Sequence, residues 1–175
     1  GSLKAKKAFP YCLTSFILIL IGSTIQVATA FNEDVSGVRD EVYRLCYYFC
    51  IPLIATEACL TAGLQDLISL LNLFIPVSDY LLRFSSTDRL SAIDLAHFAS
   101  LASIAYSAVL LERWMGYAVI CCALMTNLTG TYRIVATPLY PLFTMMLCFT
   151  TLSFLTNEPL KDVILNLEDV MTPSN

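Results

Sequence analysis

The chain has 175 residues, of which 57% are hydrophobic and only 14% charged, with a mean hydropathy of +0.71. A water-exposed monomer of this length tolerates apolar patches of no more than a few hundred Å², so the composition excludes an ordinary soluble domain. Ten Lys and Arg against fourteen Asp and Glu, and a pI near 4.8, exclude a nucleic-acid partner, which would be held through cations at phosphates.

In chain order, Phe9 to Phe31 is uncharged over 23 positions, enough to cross a hydrocarbon layer of about 30 Å at about 1.5 Å per residue. Lys4, Lys6 and Lys7 ahead of it imitate a signal peptide, but the run exceeds a signal core and further apolar blocks follow. Residues 32–41, "NEDVSGVRDE", form a dense charged stretch that predicts a solvated loop. A second span follows at 45–63, with Tyr43, Tyr47 and Tyr48 as an aromatic belt and Pro52 as a kink.

Residues 64–75 place Gln65, Asp66, Ser69 and Asn72 on one face of an otherwise apolar helix. This amphipathic segment lies along the membrane interface or extends the second span against a partner, and Pro76 is expected to stop it. Residues 76–90 then read as a surface-hugging connector.

From Ser91 to Tyr132 the chain stays largely apolar for 42 residues, about 63 Å as one helix and twice a membrane. Glu112, Arg113, Trp114 and Gly116 mark the break, giving spans at 91–111 and 114–132; the alternative is one long helix. The last span, 134–156, carries Pro138 and Pro141 as kinks. Asn157-Glu158-Pro159 reads as the N-terminal cap of an amphipathic helix over 158–170, with Leu160, Val163, Ile164, Leu167 and Val170 on one side. The expected fold is therefore all-α: one polytopic helical membrane domain over 1–175, with four to five transmembrane helices and two short amphipathic helices. Lys and Arg divide six against four between the two sides for either number of spans, so charge sets no orientation.

Ionisable groups inside a span point to function, and three are present: Glu57, Asp94 and His97. "SAID" at 91–94 fits a capping box, which assigns Asp94 to the start of its helix. Glu57 and His97 share a depth if their helices are antiparallel neighbours, and then form a polar cluster with Asp94. His97 is the one histidine, so a haem or quinone site there would need a second ligand from another chain. No metal spacing, GxSxG or phosphate loop occurs, which argues against an enzyme, and the seven cysteines sit in apolar segments as packing residues.

Ala92, Ala96 and Ser100, with Ala99, Ser103 and Ser107 beside them, recur at four-residue spacing, a stripe along which helices approach closely. "NLT" at 127–129 matches a glycosylation pattern inside an apolar span, a coincidence of sequence. The leading expectation is an accessory or structural subunit of a larger membrane complex, with a lipid bilayer, bound lipid and other membrane subunits as partners. A haem- or quinone-binding redox anchor at His97 and a small transporter or lipid-binding protein centred on Glu57 are the alternatives. The basic N-terminus and unpaired cysteines lean towards an inner or organellar membrane.

Overall fold

The computed structural model describes residues 9–31, 36–83, 92–131 and 139–159. Among them are six helices and no strand: α1 (Pro10–Phe31), α2 (Ser36–Thr61), α3 (Asp66–Arg83), α4 (Ile93–Leu110), α5 (Met115–Thr131) and α6 (Leu139–Thr156). Pro10 opens α1 at a position where its missing N–H costs no bond.

Contacts between chain neighbours show that consecutive helices run antiparallel. Ser15 meets Cys50 and Cys46 meets Leu18 between α1 and α2; Tyr48 meets Asp79 and Cys59 meets Asn72 between α2 and α3. Asn72 meets Ser103 between α3 and α4, and His97 meets Asn127 between α4 and α5. The result is an up-and-down bundle in which the C-termini of α2, α4 and α6 share one end.

Helix α2 lies at the centre, packed against α1, α3 and α4. Every residue from Cys50 to Cys59 is buried, so this stretch is enclosed all round rather than along one stripe. Pro52 deprives the Tyr48 carbonyl of its in-helix donor, and the helix nevertheless continues. Carbonyls on either side of that gap take donors from neighbours: Ser15 from α1 bonds Cys50 O at 3.2 Å, and His97 from α4 bonds Tyr47 O at 2.8 Å.

Several sequence expectations change. Ser36 to Glu41 is the first turn and a half of α2 rather than loop, because the Arg39–Asp40 and Glu41–Arg44 pairs sit on an exposed helical face; charge marked solvent, not the loss of helix. Pro76 does not stop α3, which runs on to Arg83 through the segment expected as a connector. Pro76 is fully buried, and the packing around it holds the helix across one missing hydrogen bond. The expected kink at Pro138, the residues around 134 and the amphipathic segment beyond Pro159 lie outside the described residues. Asn157 adopts φ +61° and its N–H bonds Ser153 O, so it closes α6.

The break between the third and fourth apolar runs falls at Glu112–Arg113. Glu112 N–H bonds Val109 O and Arg113 N–H bonds Ala108 O, the paired bonds of a Schellman turn, with Glu112 in the left-handed region at φ +53°. Gly63 closes α2 in the same way at φ +80°. The short turn presses α5 against α4, and a Cβ on Gly116 would stand 2.4 Å from the Ala108 Cβ.

Pro10–Ala28 and Ile93–Leu110 are long and apolar enough to cross a membrane, with mean hydropathies of 1.8 and 1.4; Met115–Leu128 and Leu142–Thr156 are apolar but shorter. The Gly116 contact predicts that Gly116→Val lowers stability by about 1–3 kcal/mol through overpacking. Thermal unfolding of the purified chain, followed by circular dichroism, checks this; an unchanged midpoint contradicts the tight α4–α5 approach.

Candidate functional site

The three ionisable candidates do not form one cluster. The Tyr47–His97 and Cys59–Ser107 contacts show that α2 and α4 run parallel, both being odd steps from α3. His97 is therefore level with Tyr47, ten residues before Glu57, and about 15 Å separates the two along the axis. The shared depth expected from the sequence needed antiparallel neighbours, and the extra helix α3 reverses the direction.

Glu57, 3% exposed, turns instead to α1. Its Oε2 accepts the N–H of Tyr11 at 2.8 Å and of Cys12 at 3.3 Å. These belong to the first turn of α1, where backbone donors have no partner inside the helix. The preceding residue, Phe9, has no side-chain acceptor, so a carboxylate from α2 does the work of a cap and meets the positive end of the helix dipole.

An opposite device closes α6 at the same end of the bundle. Arg113 Nη1 donates to the carbonyls of Phe154 and Leu155 at 2.7 and 2.9 Å, placing a cation on the C-terminus of α6. Desolvation lowers the Arg113 pKa from its ordinary value, but a guanidinium stays charged.

At the other end, His97 is 5% exposed and lies edge-on to the Tyr47 ring, centroids 4.7 Å apart. A carbonyl can only accept, so Nε2 carries the proton of the bond to Tyr47 O. The Asn127 amide lies 3.5 Å from Nδ1. Tyr47 also donates its hydroxyl to Asp94 Oδ1 at 2.9 Å, so one tyrosine touches both Asp94 and His97. The N-cap of α4 is Ala92, with no side-chain cap bond, and Ser91 of the expected capping box lies outside the described residues. Beside this group Tyr48 and Phe49 each lie edge to face with Tyr80, and Tyr48 donates to Asp79 at 3.1 Å.

The small-residue stripe serves the bundle itself. Ala96, Ser100 and Ser107 are buried, Ser103 donates to Asn72 Oδ1 at 2.9 Å, and Ser107 donates back to Ser103 O; Ala92 is half-buried and Ala99 faces outward. Among the described residues no group of His, Cys and carboxylates is placed to hold a metal ion.

Sequence reasoning missed Tyr47 and Asn127 as the partners of His97. Tyr47 was visible only as a belt residue, and Asn127 only as part of a glycosylation pattern. Their shared signal was polarity inside apolar runs. No known protein family, curated protein or solved structure matches the chain.

Two outcomes follow. Glu57→Leu strands two buried N–H groups and is expected to cost about 1–3 kcal/mol of stability, with Glu57→Gln costing less because it keeps an acceptor. Detergent melting of both variants checks the order, and equal midpoints contradict the cap. Haemin added to the purified chain is expected to give no histidine-ligated Soret spectrum, since both ring nitrogens of His97 already have partners; a spectrum lost in His97→Ala contradicts that placement.

Proposed function

We propose that this chain is a polytopic integral-membrane bundle acting as an accessory or structural subunit of a larger membrane assembly. The observation that carries the membrane part is the reversed polarity of α3. Two of its polar residues face the protein, Ser69 at 0% exposure and Asn72 through its bond to α4, while Asp66 at its start is exposed. Its large apolar residues face outward, with Leu67 75% and Phe74 67% exposed. In water this orientation loses the hydrophobic driving force on both faces. In hydrocarbon it is the favourable one, because polar groups must be satisfied internally and apolar side chains cost nothing outside.

The other helices agree. Buried Ser15, Thr56, Ser107 and Thr150 each donate to a carbonyl, while Leu13, Leu20, Phe98 and Met145 point outward. The structural role is supported by what the polar groups do. Glu57 and Arg113 cap helices, and His97 and Asp94 bond to Tyr47. The redox-anchor and transporter readings each needed one of these groups free, so the structural reading is preferred.

The chain is expected to stay in the pellet after alkaline carbonate extraction. Trp114, the single tryptophan, is 74% exposed in the α4–α5 turn and is expected to be quenched most by lipids brominated near the headgroup. Release by carbonate, or no quenching at any depth, overturns the membrane reading. In native membranes solubilised mildly, it is expected to migrate within a larger assembly on native gels; migration alone at the mass of one chain overturns the subunit reading.

A further inference from the structure

Helices α1, α2 and α6 meet around a small cavity of about 20 Å³. One water needs about 10–15 Å³, and small-ligand sites run to about 300–1,000 Å³, so the space suits a single water and no cofactor or lipid chain. Gly22 supplies part of it. Leu18 lies beside Cys46 between the antiparallel α1 and α2, and the next turn of α1 sets Gly22 against the same cysteine. A Cβ on Gly22 would stand 3.3 Å from Cys46 Sγ and 3.8 Å from Val42 Cγ1, so a side chain there takes up room between the helices.

Apart from Gly22 and the apolar Ile19, the lining carries polar groups from all three helices: Ser23 and Gln26 of α1, Tyr43 and Cys46 of α2, and Thr144 of α6. The Tyr43 hydroxyl oxygen is shielded from solvent, and Thr144 is 6% exposed. The exposed Ser23 donates to Ile19 O at 2.9 Å and Cys46 donates to Leu18 O at 3.3 Å, so each keeps only acceptor capacity. A hydroxyl offers one donor and two acceptor positions, and a carboxamide two donors and a carbonyl. Tyr43, Thr144 and Gln26 therefore have capacity for a water beside any protein partner, and a buried water uses two to four such groups. No lining residue is charged, which leaves a cation without the counter-charge that buried ions need.

Position gives the site its role. Arg113 grips α6 at its C-terminal end, through the carbonyls of Phe154 and Leu155. Thr144 lies ten residues before Phe154, about 15 Å along the axis and towards the opposite end of the bundle. Helix α6 packs mainly on α5 and meets α1 and α2 more sparingly.

We infer that this cavity is the site of one ordered water that bonds Tyr43 Oη and Thr144 Oγ1, with Gln26 as a further partner, and so fastens the first half of α6 to α1 and α2. A bridging water is nearly as favourable in enthalpy as a direct hydrogen bond, and with two donors and two acceptors it serves three helices at once. The site is independent of the membrane reading above.

The test is a crystal structure of the full chain at a resolution that shows ordered water. One isolated peak is expected within about 2.7–3.2 Å of both Tyr43 Oη and Thr144 Oγ1, and Gly22→Ala is expected to remove it while the helices keep their places. A direct bond between Tyr43 and Thr144, elongated density of a lipid or detergent tail, or a cavity without density overturns the water site. Melting in mild detergent supplies a second readout. Tyr43→Phe and Thr144→Val each remove one partner, and the double variant is expected to lose less than the sum of the two, by about fivefold in the unfolding constant. Additive losses overturn the bridge.

Discussion

The buried carboxylate of Glu57 ties the start of α1 to α2, and the bundle is organised around that kind of bond. With apolar side chains facing outward, polar backbone groups at helix ends have to find partners inside the protein. Glu57 supplies an acceptor to the N-terminus of α1, and Arg113 supplies donors to the C-terminus of α6. Both lie at the end where Gly63, Glu112 and Asn157 close their helices in the left-handed conformation. That end is therefore stitched by short turns and charge-assisted caps.

The opposite end is held by aromatic packing. Tyr47 and Tyr48, adjacent in sequence, diverge to opposite neighbours: Tyr47 reaches Asp94 and His97 on α4, and Tyr48 reaches Asp79 and Tyr80 on α3. Successive helical residues point about 100° apart, so two tyrosines in a row can serve two helices. Pro52 lies between the two ends and frees carbonyl capacity in the middle of α2, where Ser15 and His97 bond the flanking carbonyls. The single histidine acts here as a donor that locks α4 to α2.

Reversed polarity links this internal bonding to the proposed setting. Ser69 and Asn72 of α3, which in a soluble helix would face water, turn towards α2 and α4, while leucines and phenylalanine face away. The bilayer-facing surface proposed above is one consequence of that arrangement.

Much of the helical content was legible in the sequence, because long uncharged runs and 3.6-residue patterning are local properties. The starts and ends of α1, α4 and α5 follow from them, as does the break at Glu112–Arg113. The turn at Gly63 is marked by a residue type that tolerates positive φ. Pro76 misled, since a proline removes one bond but cannot say whether packing compensates. Whether α3 lies along an interface or stands in the bundle was likewise undecidable from its face pattern, which is the same in both cases.

That one helix decided the rest. Its insertion between α2 and α4 makes those two parallel, which separates Glu57 from His97 and sends each to a different partner. By itself the sequence determined which residues are helical, apolar or costly to bury, because these depend on neighbours within a few positions. Only the tertiary structure decided which carboxylate meets which helix end, because that depends on the direction and adjacency of segments tens of residues apart.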